Sequence, residues 1–186
     1  MNKSNKKVYV FAAQGLEEIE CLTQVDLLRR GGVEVVLTAV GGDLTIHGSH
    51  GIVMQADALI EDVDLSDASA LILPGGMPGT LNLQADDILS GALKKAAGSD
   101  VWICAICAAP RVLGHLGLLE GQTATCYPGC ESYLTGAKTT QNPVEVSGQF
   151  ITSRGVGTAI PFALKILEKL EGVECAEKIE KSIVFG

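Results

Sequence analysis

The stretch VWICAICAAPRV, residues 101–112, decides the fold. Its first half, residues 101–106, is short and apolar and has polar neighbours, which is typical of a strand buried on both faces. Its second half predicts a helix, because Pro110 suits the first helical turn, where no amide donor is needed. Cys107 therefore lies at a junction between the carboxyl end of a strand and the amino end of a helix.

This position favours a reactive role for Cys107. Open α/β sheets bind ligands at the carboxyl ends of their strands, and the unpaired amides and dipole of a helix N-terminus favour negative charge. We therefore expect the thiol to ionise easily to the reactive thiolate. The small neighbours Ala105, Ala108 and Ala109 leave the sulfur accessible. The alternative is an inert packed thiol, since cysteine is among the most buried residue types.

Composition limits the classes of protein to consider. The 186 residues, 47% hydrophobic and 19% charged, predict one compact domain. A formal net charge of −8 argues against a nucleic-acid partner, and no apolar run is long enough to span a membrane. Because no signal peptide is evident, we expect a cytoplasmic protein with free thiols. Residues 1–7, with their lysines, are predicted to be a disordered tail.

Strands and helices alternate along the whole chain. A strand at 8–13, a helix opening at 17–20 and ending at 30, and a strand at 33–40 form a β-α-β unit, which implies a parallel sheet with a right-handed crossover. Further elements are predicted as a hairpin around 44–46, extended chain at 52–60, strands at 70–73, 123–126, 144–146 and 150–153, and helices at 81–97 (with a break near 85–86), 158–170 and 175–183. The pattern predicts a single doubly wound α/β domain.

The turns that follow strands gather at one edge of such a sheet, and three of them carry unusual residues. They are the turn with Glu17, Glu18 and Glu20, the turn Pro74-Gly75-Gly76, and Cys107 itself. The glycines allow backbone amides to approach a ligand closely. Together the three turns supply a nucleophile, a carboxyl group and amide donors for an oxyanion.

The three glutamates are expected to differ. A solvated first helical turn explains Glu17 and Glu18. Glu20 shares a helix face with Leu16 and Gln24 and is expected to be buried, which raises the pKa of its carboxyl and lets it donate a hydrogen bond to the thiolate.

Four motifs in order resemble the ThiJ/PfpI superfamily, in the branch of the Parkinson-associated protein deglycase and bacterial ThiJ-like proteins. The similarity runs from about residue 8 to residue 183. The motifs are Gly15-Leu16-Glu17-Glu18-Ile19-Glu20, Leu73-Pro74-Gly75-Gly76, Ala105-Ile106-Cys107-Ala108-Ala109-Pro110 and Thr152-Ser153-Arg154-Gly155-Val156-Gly157-Thr158.

The resemblance implies an architecture and a set of roles. The fold would be a flavodoxin-like, class I glutamine amidotransferase-like sandwich, with a mostly parallel sheet between helices, and the protein would be a homodimer. Cys107 would be the reactive cysteine on a strained nucleophile elbow, and Glu20 its protonated partner. The amides of Gly76 and Ala108 would lie near the reacting oxygen. Gly75 is a further candidate for binding substrate.

The chain departs from the family pattern at two positions. Peptidases of the family carry a histidine directly after the cysteine, where this chain has Ala108, which disfavours a peptidase dyad. The deglycase branch often has a histidine facing the cysteine, and the matching residue is Tyr127, a poor general base but a possible donor to a substrate oxygen. His47, His50 and His115 match none of the motifs, and His115 is expected to be packed in its helix.

The other cysteines and two arginines offer further hypotheses. The pairs Cys104-x2-Cys107 and Cys126-x3-Cys130 have the spacing of a zinc site, although a buried strand is a poor place for one. Cys126 is alternatively a buried thiol or the partner that resolves an oxidised Cys107 as a disulfide. Arg30 and Arg154 are candidates for binding a substrate anion, or else members of surface ion pairs.

Three functions remain open from the sequence. The first is a cofactor-free, cysteine-dependent enzyme on reactive aldehydes or glycated side chains, similar to the glyoxalases and deglycases of the family. The second is a sensor or chaperone-like protein of oxidative stress that works through oxidation of Cys107. The third, disfavoured by Ala108, is hydrolysis of peptide bonds.

Overall fold

A seven-stranded sheet forms the centre of the protein in the computed structural model, which describes residues 6–186. The strands are β1 Lys7–Ala13, β2 Glu34–Val40, β3 Thr45–His47, β4 Val53–Gln55, β5 Ala58–Leu59, β6 Ala68–Leu73, β7 Trp102–Ile106, β8 Thr123–Ala124, β9 Lys138–Thr139, β10 Val144–Ser147 and β11 Phe150–Ser153. The helices are α1 Glu18–Arg30, α2 Gly79–Ala85, α3 Asp87–Ala96, α4 Pro110–His115, α5 Ala159–Glu171 and α6 Val173–Ser182.

The central sheet has the order β10-β11-β7-β6-β1-β2-β5. All of its neighbouring strands run parallel except the edge hairpin of β10 and β11. The strand order reverses direction between β1 and β6, which is the topological switch point where open α/β sheets form their ligand crevice. The loops that follow β1, β6 and β7 therefore meet at one edge of the sheet.

Both faces of the sheet are covered by helices. Alternate residues of β1 point to opposite faces, so that Val10 belongs to the same core cluster as Phe162 of α5, and Phe11 belongs to the other cluster with Leu93 of α3. All four side chains are fully buried. The predicted flavodoxin-like, doubly wound α/β sandwich is therefore confirmed.

Most of the predicted elements agree with the structure. The break predicted inside the helix at 81–97 separates α2 from α3, because the side chain of Asp86 caps α3 by accepting a hydrogen bond from the amide of Leu89 at 2.8 Å. The hairpin of β10 and β11 is also present. No described helix has both the length and the apolar character needed to cross a membrane.

Four local predictions need correction. Lys7 begins β1 and its Nζ pairs with Asp67 Oδ2 at 3.0 Å, so it is not part of a tail, while residues 1–5 of the predicted tail lie outside the described residues. The extended segment at 52–60 is divided into β4 and β5, and the strand predicted at 123–126 is shorter. His115 is exposed, because it lies at the end of the short α4 rather than against the core.

Candidate active site

Cys107 lies between the end of β7 and the start of α4, with its backbone in the left-handed region at φ 65°. A residue other than glycine pays about 1–3 kcal/mol for this conformation. Backbone hydrogen bonds on both sides hold it: the Cys107 amide donates to the carbonyl oxygen of Ser153 at 3.0 Å, and the Cys107 carbonyl accepts from the amide of Tyr127 at 2.8 Å. The half-buried thiol is thus fixed on a strained elbow.

Two backbone amides converge on the sulfur of Cys107. They belong to Gly76, in the loop after β6, and to Ala108, the next residue of the elbow, and both lower the pKa of the thiol. Gly76 has φ 90°, and a Cβ atom there would lie 2.2 Å from the amide nitrogen of Glu17. Only glycine therefore allows this loop to bring its amide to the sulfur.

The carboxyl of Glu20 lies beside the same sulfur. Glu20 is in the first turn of α1 and is fully buried, as are Leu16 and Gln24, with which it was predicted to share a face. Its Oε2 accepts a hydrogen bond from the amide of Gly75 at 3.0 Å. Its Oε1 has no nitrogen or oxygen partner in the described chain, so the Cys107 thiol is the neighbour with which the carboxyl can share a proton.

Burial raises the pKa of the Glu20 carboxyl to about 7, the bond with Cys107 opposes this shift, and the charge of Glu17 adds to it. Burial also raises the pKa of the Cys107 thiol, and the charge of an ionised Glu20 raises it further. The expectation that the helix N-terminus alone makes the thiol ionise easily is therefore wrong. Two adjacent acids in a buried site instead share one negative charge near neutral pH.

Gly155 borders the side of the site where Tyr127 lies. A Cβ atom on Gly155 would be 3.5 Å from Cδ2 of Tyr127, 3.6 Å from Oε1 of Glu20 and 3.9 Å from Sγ of Cys107. These are ordinary van der Waals distances, so the backbone of Gly155 lies close to all three side chains and a side chain at this position would project toward them. Tyr127 is exposed, and its phenol is available to a ligand that approaches from solvent.

The guanidinium groups of the two candidate arginines form bonds with other residues. Arg30 ends α1, about 15 Å along the helix from Glu20, and its Nε donates to Oδ2 of Asp26 at 2.7 Å. Arg154 follows β11, and its Nη1 donates to the carbonyl oxygen of Gln141 at 3.3 Å. Within the described residues, neither guanidinium is among the groups that act on the Cys107 thiol.

The remaining cysteines do not form a metal site. Cys126 is buried, which raises the pKa of its thiol to about 12, and it is free, as are Cys104, Cys107 and Cys130. Within residues 6–186, the only group of three potential metal-binding side chains whose ligand atoms lie within 4.8 Å of one another contains no cysteine. The zinc hypothesis based on cysteine spacing is therefore wrong.

That group of three consists of Glu17, Glu18 and His50, and sequence reasoning missed it. Glu17 and Glu18 are only 7% and 1% exposed, so the expectation of a solvated first turn is wrong. Glu17 caps α1, since its Oε2 accepts from the amide of Glu20 at 2.7 Å. A capping carboxylate three residues before Glu20 was a detectable signal, whereas nothing in the sequence indicates the contact with His50.

Comparisons with known proteins agree with this geometry. Residues 6–169 match the model of the DJ-1/PfpI family. Protein DJ-1 homolog B of Arabidopsis thaliana is 38% identical over the whole chain, which spans only 43% of that protein's length. Parkinson disease protein 7 homolog of Danio rerio is 32% identical over 98% of each protein. Glutathione-independent glyoxalase DJR-1.2 of Caenorhabditis elegans is 36% identical over 91% of each.

Solved structures show the same fold. The oxidized DJ-1 of Toxoplasma gondii has a TM-score of 0.94 and 36% identity, over 97% of this chain and 99% of that one. Drosophila melanogaster DJ-1beta also has a TM-score of 0.94, with 32% identity over 97% and 98% of the two chains. The resemblance inferred from the four motifs is confirmed, and the chain belongs to the DJ-1/PfpI family.

Proposed function

We propose that this chain is a cysteine-dependent enzyme that acts on reactive carbonyl compounds, of the glyoxalase or protein-deglycase kind. The observation that carries the proposal is the position of the Cys107 sulfur between two amide donors and the buried carboxyl of Glu20. A nucleophile and a proton carrier in contact are what addition to an aldehyde requires. The similarity to a protein named as a glyoxalase supports the same class of reaction.

The proposed reaction of a 2-oxoaldehyde begins when the Cys107 thiolate attacks the aldehyde carbon. A C–S bond forms, the carbonyl electron pair moves to oxygen, and Glu20 gives its proton to that oxygen. The Glu20 carboxylate then removes the hydrogen of the attacked carbon as a proton. Moving this proton to the neighbouring carbon, and the hydroxyl proton to the neighbouring oxygen, gives a thioester. Water hydrolyses the thioester, so aldehyde plus water becomes a 2-hydroxy acid.

Glycine at position 155 suits this reaction. A side chain there would project toward Cys107, Glu20 and Tyr127, so its absence leaves room for a substrate beside these three residues. The Tyr127 phenol is then a candidate donor to a substrate oxygen, in place of the histidine found in many relatives of the deglycase branch. Free 2-oxoaldehydes and glycated side chains both present a carbonyl carbon of the required kind.

The test is conversion of methylglyoxal to lactate by the purified protein and by Cys107→Ser. We expect the substitution to reduce kcat/KM at least about 100-fold, since a serine hydroxyl is a much weaker nucleophile without a strong base. Cys175→Ser is the matched control, because Cys175 is a partly buried thiol on α6 that contacts the carbonyl of Gly31. Unchanged turnover in Cys107→Ser would show that the proposed mechanism is wrong.

A redox role for Cys107 is the second candidate, and one observation favours it. The amides of Gly76 and Ala108 that point at the sulfur are also placed to bind the oxygens of an oxidised cysteine. A peroxide titration followed by intact mass measurement tests it, with Cys107→Ser as the reference. Addition of two oxygen atoms to Cys107 at modest peroxide, before any other cysteine reacts, is the expected result, and an unmodified Cys107 would contradict the role.

We also propose that the protein works as a homodimer. The side chains of Ile19 and Leu22 on α1 are exposed, and so are those of Ile52 and Val53 beside them. Glu18 holds this second segment against α1 by accepting from the amide of Ile52 at 3.5 Å. Ile19→Lys should shift the mass measured by light scattering toward a monomer, whereas Val184→Lys, at the highly exposed C-terminus, should not.

A further inference from the structure

The side chain of Glu18 fastens the loop between β3 and β4 to the first turn of α1. Its Oε1 accepts from the backbone amide of His50 at 2.7 Å, and its Oε2 lies 2.8 Å from Nδ1 of the His50 ring. The Glu18 side chain is 2% exposed. Gly48 makes room for it, because a Cβ atom on Gly48 would lie 2.2 Å from Oε1. One carboxylate therefore binds both the backbone and the ring of a residue 32 positions away.

The same ring faces the residue that caps the helix. Nδ1 of His50 is 3.9 Å from Oε1 of Glu17, while the other oxygen of Glu17 accepts from the amide of Glu20. The ring of His50 thus lies close to two consecutive carboxylates, and Glu20 follows two residues after the second of them. A charge on His50 acts on Glu20 through Glu17. Glu17 is the hydrogen-bond partner of the Glu20 amide, and its negative charge lies close to the Glu20 carboxyl.

The other groups that face His50 are few. On α1 they are the carboxyls of Glu17 and Glu18. In the loop itself, Oγ of Ser49 lies 3.1 Å from Nδ1 of His50. The loop after β6, residues 74–78, has no charged side chain. Among residues 6–186, His50 is the cation in both of the ion pairs found for Glu17 and Glu18.

We propose that His50 is a positioning residue for Glu20, and that its imidazolium, held by Glu18 against Glu17, sets the pH at which the Glu20–Cys107 pair reacts. The inference rests on the proposed role of that pair and extends it to a residue outside the motifs of the family resemblance. His50 need not touch substrate in this role. It acts by balancing the negative charge of Glu17, which otherwise adds to the cost of ionising Glu20.

The direction of the effect follows from the charges. The hydrogen bond and charge of Glu18 raise the pKa of His50, so the imidazolium persists to a higher pH than in an isolated histidine. While it is charged, it offsets Glu17 and favours the first ionisation of the Glu20–Cys107 pair. Replacing it with a neutral residue removes that offset and moves the ionisation of the pair to higher pH.

The pH dependence of Cys107 alkylation by iodoacetamide, a neutral reagent, tests this proposal in His50→Gln. We expect the profile to move up by roughly a few tenths of a pH unit, as for a partly screened charge at this range. His47→Gln is the matched control, since His47 is an exposed histidine of the same hairpin and its backbone amide donates to Oε1 of Gln14. A His50→Gln profile that overlays the parent, in a protein with unchanged thermal unfolding, would overturn the proposal.

The ion pair itself can be tested separately by NMR titration of the His50 ring. We expect it to titrate at higher pH than a histidine in an unstructured peptide, and to lose that difference in Glu18→Gln, which keeps an acceptor for the backbone amide. An ordinary titration in the parent would also overturn the proposal. Neither readout uses turnover, so a protein without glyoxalase activity that still shows both shifts would contradict the proposed function and leave this inference standing.

Discussion

The buried carboxyl of Glu20 and the thiol of Cys107 are in contact across the switch point of the sheet; the carboxyl raises the pKa of the thiol, whereas the hydrogen bond with the thiol lowers the pKa of the carboxyl. The carboxyl accepts one backbone amide, from Gly75, whereas the sulfur accepts two, from Gly76 and Ala108. The two amides lower the pKa of the thiol and so offset part of the cost of burying it, but burial still keeps that pKa above the pKa of the carboxyl. The proposed reaction uses the form of the pair in which the sulfur carries the charge and Glu20 holds the proton.

Glu20→Gln should simplify the pH dependence of Cys107 alkylation. In the parent the pair ionises in two coupled steps that belong to both groups, so the profile should show two apparent pKa values. Glutamine keeps the acceptor for the Gly75 amide but does not titrate, so one step should remain. Mass spectrometry of the alkylated peptide measures the profile, with Glu34→Gln, an exposed carboxyl on β2, as the control. A two-step profile in Glu20→Gln would contradict the coupling.

The stability of the parent should fall as pH rises from about 4.5 to about 7. The folded-state pKa of Glu20 is raised to about 7, so across this window the folded protein holds a proton that the unfolded chain has released. The loss amounts to at most about 3 kcal/mol. Urea unfolding at the two ends of the window measures it. His50 also lowers the unfolding free energy as pH rises, but it does so in both proteins, so the difference between the parent and Glu20→Gln isolates Glu20. An equal pH dependence of the unfolding free energy in the two proteins would contradict the raised pKa of Glu20.

Gly75→Ala should inactivate the protein and destabilise it by about 2 kcal/mol or more. The added Cβ would lie 2.6 Å from Cβ of Cys107 and 2.7 Å from Oε2 of Glu20, so one of them must move. Gly91→Ala is the contrasting substitution, because Gly91 is inside α3 with no atom within 4 Å of the added carbon. It should raise the unfolding free energy by up to about 1 kcal/mol. Thermal unfolding and alkylation of Cys107 measure both variants.

Cys107→Gly should be more stable than Cys107→Ala, although both lack the nucleophile. Alanine keeps the strain of the left-handed backbone at φ 65°, and glycine relieves it. The greater freedom of glycine in the unfolded chain offsets part of the gain, so we expect a difference of up to about 1 kcal/mol in urea unfolding. If Cys107→Ala is as stable as Cys107→Gly, or more stable, the elbow stores no strain.

The architecture could be predicted because short-range patterns encode it. Buried strands alternate with amphipathic helices along the chain, and a β-α-β unit has one favoured hand, so the loops after β1, β6 and β7 had to meet at one edge. Cys107 and Gly76 were found in this way. Glu20 was found because helical spacing places it on the same buried face as Leu16 and Gln24.

The charge distribution of the site could not be predicted in the same way. Whether Glu17 and Glu18 are solvated depends on what covers the first turn of α1, and the cover is a loop about 30 residues further along the chain. The ease of ionising Cys107 was misjudged for a related reason. The helix N-terminus is visible in the sequence, whereas the burial that outweighs it is a property of the packed site.

The sequence by itself determined the order of elements, the two faces of the sheet, and the elbow that carries Cys107, because periodicity and turn residues act over a few positions. Only the tertiary structure decided that Gly75 binds Glu20, that Glu20 shares a proton with Cys107, and that His50 stands over Glu17 and Glu18. Those contacts join segments distant in the chain, and their energies depend on burial and on separations of a few ångströms, which exist only once the segments have packed.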